Sequence, residues 1–418
     1  MPKFHAQTKH SFVSVRKGAF FLDWRTQPRA SKHYPHFYLR YPFASYKELE
    51  EFELIGGVSF ETQARDGSVY TLRTVPSAGA LYPCELYVQA RGVEGLVSGL
   101  YHYEGKDRSL SLLLELDSDG LEYYFGGRGR REGLSFLISA TYFRSSWKYR
   151  DRAIRYIFLD SGHQLGGVYA YCTLRGLESE AIFDIDKAQL NSALGFRNDE
   201  MSMVGLCTSE PSSKEASEFK LTLPYVPSCD YLETNTFIEE AYKESALKSG
   251  NIKFPNFFEG VDRDILKDAI IKRRSIRAFS RLSISKSEFD SIIVGLFEFA
   301  SECGVEIFYT IHMVDGVEQG LYKGANLQKF GDFSQKSYYL SLEQKIGGDS
   351  AFTLYFTSST KDDYQKVNIL SGFIAHIIYL RAEILGIGTT GIGAYYDDEV
   401  KEFLQTPNNI LYLLAVGR

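Results

Sequence analysis

The sequence predicts an α+β protein made of two tandem domains of one plan. Three observations carry this. The chain has 418 residues, more than one typical domain needs. Short strand-like runs alternate with two long apolar helical stretches, 153–175 and 367–385. The two halves also share landmarks. Gly99-Leu100-Tyr101 recurs as Gly320-Leu321-Tyr322, and Ser161-Gly162 with Tyr169 recur as Ser371-Gly372 with Tyr379 at one constant offset. The long helices end on Arg175-Gly176-Leu177 and Leu385-Gly386-Ile387, and the halves close on Val204-Gly205 and Val416-Gly417. A repeat at this spacing reads as a duplicated domain.

Composition narrows the function. Hydrophobic residues make up 44% and charged residues 24%, which allows an ample core. A net charge of −6 argues against nucleic-acid binding. The five cysteines form no CxxC pair, so neither a structural zinc site nor a disulfide framework is expected. His5, His10, His33 and His36 have no helical or hairpin ligand spacing, so no metal is expected there. No apolar run looks long enough to span a membrane, and a cytoplasmic location follows by default.

In order, residues 1–45 read as a turn-rich aromatic arm. A helix is expected over 46–55, ending at Gly56-Gly57, and strands over 69–72 and 86–90. Between those strands lies Pro76-Ser77-Ala78-Gly79-Ala80-Leu81-Tyr82-Pro83. Prolines and small residues break regular structure there and leave backbone that a flat ligand can approach; an ordinary sheet-edge turn has the same composition. Strands follow at 99–103, 109–116 and 136–142. Trp147-Lys148-Tyr149-Arg150-Asp151-Arg152 opens the first long helix, and the first domain is read as 46–210. Residues 211–262 read as linker, with a helix near 236–247. The second domain, 263–418, opens with a helix at 264–272 and Arg273-Arg274-Ser275-Ile276-Arg277. Three guanidiniums and a hydroxyl suit a phosphate, and equally a basic helix end. A helix capped by Ser285 runs to 299, strands follow at 307–314 and 351–357, and after the second long helix come Gly391-Ile392-Gly393-Ala394-Tyr395 and a last strand, 410–416.

Arg273–Arg277 followed by Ala278-Phe279 resembles the phosphate-binding signature of the flavin-dependent nitroreductase superfamily. Gly391, Ile392, Gly393 and Ala394 resemble its loop beside the flavin ring. Pro76, Ser77, Ala78, Gly79 and Ala80, with Glu85-Leu86-Tyr87, resemble the ring-contacting loop of the SagB-type dehydrogenases, the branch that includes azoline oxidases of ribosomal peptides. Lys148 and Tyr149 resemble their catalytic pair, and Thr8-Lys9-His10 with Leu22-Asp23-Trp24 resemble the start of tandem members. The resemblance implies tandem nitroreductase-like domains, each a mixed or antiparallel sheet flanked by helices, forming an intrachain pseudo-dimer. It implies an FMN-dependent dehydrogenase acting on a peptide or peptide-derived substrate, possible biosynthetic partner proteins, and a monomer or homodimer. FMN is expected over FAD because one arginine cluster serves one terminal phosphate and no dinucleotide fingerprint is present.

The halves depart from the pattern in complementary ways. Tyr41-Pro42-Phe43-Ala44 and Glu180-Ala181-Ile182-Phe183 stand in the first half where the arginine and Gly-Ile-Gly motifs are expected. Ser301-Glu302-Cys303-Gly304 stands in the second in place of Pro-Ser-Ala-Gly. Relatives place flavin between two subunits, so the fused halves are expected to complete one flavin site per chain. Two other functions stay open. One is an NAD(P)H-dependent reductase of nitro groups, quinones or flavin; the other is a non-catalytic scaffold in a peptide-modifying complex.

Overall fold

The computed structural model describes residues 3–18, 21–63, 69–360 and 363–418. The chain divides into two compact units, Trp24–Arg263 and Met1–Asp23 with Asp264–Arg418. The arm expected over 1–45 is therefore split. Its helices α1 (Lys3–Gln7) and α2 (Phe12–Lys17) belong with the C-terminal residues. The His5 ring bonds the Tyr364 hydroxyl at 2.7 Å, and the His10 amide donates to Asp397 at 2.9 Å.

In the Trp24–Arg263 unit the strands are β1 (Arg40–Pro42), β2 (Val58–Gln63), β3 (Val69–Arg73), β4 (Cys84–Arg91), β5 (Gly99–Glu104), β6 (Ser109–Glu115), β7 (Gly133–Thr141), β8 (Glu180–Ile182), β9 (Glu200–Cys207) and β10 (Ile252–Lys253). β2 and β3 form a separate hairpin. The others build one antiparallel sheet in the order β1-β6-β5-β4-β7-β9-β8-β10. Helices α3 (Tyr142–Tyr149), α4 (Ala153–Leu174), α5 (Lys187–Ala193) and α6 (Thr236–Ser245) complete it. β4 is buried along its whole length, as a central strand covered on both faces should be. The segment read as a linker is part of this unit: it supplies β10 and α6.

In the other unit α7 (Arg263–Lys272) leads to β11 (Ile284–Ser285), α8 (Lys286–Ile293), α9 (Leu296–Glu302), β12 (Glu306–Ile311), β13 (Val314–Asp315), β14 (Gly320–Lys323) and β15 (Asn326–Phe330). Then come α10 (Ser334–Leu340), α11 (Lys345–Asp349), β16 (Phe352–Ser358), α12 (Tyr364–Ile384), β17 (Gly388–Ile392), α13 (Asp397–Leu404) and β18 (Asn409–Gly417). The main sheet is antiparallel, in the order β15-β14-β12-β16-β18-β17; β11 and β13 pair in parallel beside it. This order repeats β6-β5-β4-β7-β9-β8 strand for strand. The repeat reaches single bonds. Tyr101 and Tyr322 each donate to a carbonyl four residues back, Val97 and Glu318, and Ser161 and Ser371 do the same to Ile157 and Val367.

Four further expectations change. Residues 46–55 form two 3₁₀ turns, Lys47–Leu49 and Phe52–Ile55, because Glu51 between them is left-handed (φ 69°). The Ser285 capping box is present, but the helix breaks at left-handed Gly295 into α8 and α9. Lys148 and Tyr149 close α3 and do not open α4: Arg150 turns the chain at φ 48° between them. Finally, α12 is long and apolar enough to cross a membrane by length and composition, contrary to the expectation; 83% of its apolar window is buried within the protein.

Buried charge ties the Trp24–Arg263 unit together. Lys32 pairs with Glu200 at 2.8 Å with both side chains 2% exposed. Arg144 pairs with Glu85 at 2.5 Å, and His102 lies 3.0 Å from the other Glu85 oxygen. Burial works against the Glu85 charge, yet Arg144 and His102 hold its pKa down to about 2. Removing one partner of such a pair strands the other. Lys32→Met should cost about 3–5 kcal/mol, read from urea unfolding, whereas Lys9→Ala, whose partner Asp398 is exposed, should cost under about 1 kcal/mol. Equal effects would contradict this assignment.

Candidate functional site

In the Trp24–Arg263 unit the loop 76–83 is held in an uncommon shape. Gly79, Ala80 and Tyr82 all have positive φ (65°, 54° and 47°), which costs the two non-glycine residues backbone strain. The loop is fixed from below by Asp160 of α4. Ser77 Oγ donates to Asp160 at 2.6 Å, the Ala78 amide donates at 3.2 Å, and Ser77 Oγ accepts from the Tyr82 amide at 2.9 Å. Burial drives the Asp160 carboxyl up to about 7, although the Ser77 and Ala78 bonds oppose the shift.

The same loop meets the Lys-Tyr pair. A Cβ added at Gly79 would stand 2.6 Å from the Tyr149 hydroxyl and 3.1 Å from Lys148 Nζ, so only glycine lets these groups close on the backbone. Lys148 Nζ lies over the Trp24 ring, 4.9 Å from its centre, and Trp24 packs edge-on against Trp147 at 5.4 Å. The Tyr149 and Tyr156 rings meet edge to face at 4.6 Å. One turn before Lys148 on α3, buried Arg144 donates to the Tyr82 carbonyl at 3.0 Å as well as to Glu85. Helix and loop are thereby locked to one another. The sequence brought Gly79, Lys148 and Tyr149 to notice, but neither Asp160 nor Arg144. Asp160 had a signal: it is an acid inside the apolar run 157–162, and a buried acid requires partners.

In the other unit Tyr379 of α12 organises the arginine motif. Its hydroxyl accepts from the Gly391 amide at 2.7 Å and lies 2.9 Å from Ser275 Oγ. Ser275 also bridges Thr389 of β17, and the Ile276 amide donates to the Thr389 carbonyl. A Cβ at Gly391 would overlap the Tyr412 hydroxyl, which fixes glycine there. The three arginines differ. Arg273 is buried with its guanidinium 5.4 Å from the Tyr379 ring centre. Arg274 donates to the carbonyls of Ile271 and Arg273 at the end of α7, the helix-end role. Arg277 is exposed. Ile392 is buried, with Gly393 and Ala394 half-buried after it. The Thr389 hydroxyl is buried with no hydrogen-bond partner among the described residues, an orphan donor of the kind a bound anion satisfies. Ser275 and the orphan Thr389 hydroxyl, bridged to one another, are donors of the kind a phosphate takes, and exposed Arg277 lies two residues further along the chain. Arg418 is committed elsewhere, to Glu288 at 2.5 Å.

The equivalent place in the Trp24–Arg263 unit is filled by chain. Tyr169, the counterpart of Tyr379, donates to the Pro255 carbonyl at 2.7 Å and accepts from the Phe257 amide at 2.8 Å. The Phe254 amide bonds the Ser179 carbonyl as Ile276 bonds Thr389. Tyr41-Pro42, expected at this place, instead form β1 at the opposite edge of the sheet. The cleft beside the filled place, about 600 Å³, is lined by Glu178, Glu180 and Glu210 beside Arg131 and Lys253, a poor match for a dianion.

A crystal structure of an Anabaena variabilis protein, provisionally named a nitroreductase, superposes over 99% of this chain and 98% of its own with a TM-score of 0.82 at 23% identity. The chain has the nitroreductase fold. The Nitroreductase family model matches residues 270–418. A Methanocaldococcus jannaschii protein, also provisionally named a nitroreductase, is 26% identical over 186 residues, covering 37% of this chain and 90% of its own length. The trifolitoxin-processing protein TfxB of Rhizobium leguminosarum bv. trifolii is 27% identical over 131 residues, 29% of this chain and 35% of that protein.

Asp160 supplies a pH test. Its folded pKa is raised, so its contribution to stability is full below its unfolded pKa and is lost as pH rises through about 7. Wild-type stability should fall between about pH 4 and pH 7 with a component that Asp160→Asn lacks, measured by urea unfolding across that range. Identical pH profiles would show that the loop is held some other way.

Proposed function

We propose that this protein is an FMN-dependent dehydrogenase that oxidises a peptide or peptide-derived substrate, most economically an azoline ring to an azole. The observation that carries it is the packing of Lys148 and Tyr149 onto Gly79 of the strained loop. Simple flavin reductases have no need of an amine and a phenol there. The fold, the family match over 270–418 and the likeness to a trifolitoxin-processing protein support the same reading.

Aromatising an azoline removes a proton from one ring carbon and a hydride from its neighbour. When bound, FMN supplies the hydride acceptor. Ser275, Arg277 and Thr389 would hold its phosphate, with Gly391–Ala394 as the adjoining loop. Lys148, as the base, takes the proton, and its amine lies over the face of Trp24. Tyr149 orients the substrate ring or relays the proton. Asp160 and Arg144 act through position: they hold the loop and helix so that these two groups meet it at fixed distance. Partner proteins in a biosynthetic complex would present the peptide. The family match also favours a second reading, an NAD(P)H-dependent reductase of nitro groups, quinones or flavin.

The visible spectrum of the purified protein before and after NADPH separates them. A yellow protein that NADPH fails to bleach supports the dehydrogenase, rapid bleaching supports the reductase, and a protein that takes up no flavin leaves only a scaffold. Lys148→Ala should keep the flavin and lose about 10²–10⁴-fold in substrate oxidation, the usual contribution of a positioned base. Arg277→Ala, at an exposed position, should weaken flavin retention while leaving the unfolding transition unchanged.

A further inference from the structure

We propose that His33, Glu104 and Asp107 bind one divalent transition-metal ion, of the Zn²⁺ class, that clamps the start of the Trp24–Arg263 unit to the turn between β5 and β6. The three ligand atoms all lie within 4.8 Å of one another. His33 Nδ1 is 3.4 Å from Glu104 Oε2 and 3.4 Å from Asp107 Oδ2. Four ligands about 2.0–2.1 Å from a tetrahedral zinc are separated by about 3.3 Å, so both measured edges already fit.

The surroundings prepare the donors. Glu104 Oε1 is saturated: it accepts from Ser111 Oγ at 2.7 Å and pairs with Arg40 at 3.0 Å. Oε2 is buried, and its partner is the His33 ring, 3.4 Å away. The Glu104 side chain is only 1% exposed, so the imidazole alone offsets this oxygen's desolvation on that side. On the far side of the imidazole, Nε2 lies 2.9 Å from Ser31 Oγ. In the tautomer whose Nε2–H donates to Ser31, the Nδ1 lone pair faces two carboxylates, an arrangement that a cation resolves. His33 and Asp107 are part-exposed, which leaves an entry path and a solvent ligand. Arg40 and His102 flank the inner oxygen of Glu104, and Asp107 adds a second carboxylate at the rim. One imidazole with two carboxylates favours Zn²⁺ or Mn²⁺ over Ca²⁺.

The clamp has a mechanical consequence. Lys32, between Ser31 and His33, points inward to Glu200, and its amide donates to Glu85 at 2.7 Å. Metal on His33 would fix the same segment from the outside. That segment follows Trp24, the ring over Lys148.

The test uses the full chain, stripped with EDTA and titrated with ZnCl₂ in a calorimeter, with thermal melts alongside. One ion per chain should bind, and the melting temperature should rise. His33→Ala and Asp107→Asn should each weaken binding by about 10–100-fold or more and abolish the rise, while melting like the stripped wild type in EDTA. Glu104 is left alone because its burial makes folding defects hard to separate. No saturable binding by the wild type, or undiminished binding and stabilisation in both variants, would overturn the site.

Discussion

The Arg144 guanidinium is the joint on which the Trp24–Arg263 unit depends. It is fully buried, and it reaches the Tyr82 carbonyl, the Glu85 carboxylate and the Ser228 carbonyl. One side chain thus fastens α3 to the loop 76–83, to β4 and to the returning segment 211–262. A buried charge is expensive to desolvate, so it persists only where geometry satisfies it closely. Here that geometry has a use. The helix fastened by Arg144 ends in Lys148 and Tyr149, and the loop it fastens contains Gly79. Asp160 holds the loop from the opposite side through Ser77 and Ala78. Two buried polar anchors therefore overcome the strain of left-handed Ala80 and Tyr82.

The duplicated plan was legible because core positions recur under the same constraints. Gly99 and Gly320 each face a Leu side chain and a strand carbonyl that leave no room for a Cβ, so both remained glycine. Tyr169 and Tyr379 were legible as a pair for the same reason. The partners of those tyrosines were not. Tyr379 holds Ser275 and the Gly391 amide, whereas Tyr169 holds Pro255 and Phe257, which arrive from a segment that composition marked as linker. Composition detects prolines and serines; it does not detect that the Phe254 amide has the Ser179 carbonyl to meet. Glu51 and Arg150 were missed similarly, because a left-handed non-glycine residue leaves no mark in the sequence.

The candidate site was legible in its exposed and unusual residues and illegible in its supports. Pro76–Pro83, Lys148, Tyr149 and Arg277 stood out as chemistry without an obvious packing role. Arg274 looked equally suited to phosphate and to a helix end, and its guanidinium donates to the Ile271 carbonyl of α7. Arg144 and Asp160 sit inside helical runs where their neighbours advertise a core.

The two tyrosines also bear on the proposed cofactor count. The Tyr379 hydroxyl meets Ser275 of the arginine motif, while the Tyr169 hydroxyl is engaged by the chain itself, at Pro255 and Phe257. Under the proposed function, the arginine motif would supply one phosphate grip per chain. The most direct measurement is flavin absorbance against protein concentration after saturation, with the released cofactor identified by mass. One FMN per chain is the predicted result. Two per chain, FAD, or no flavin after reconstitution would contradict it.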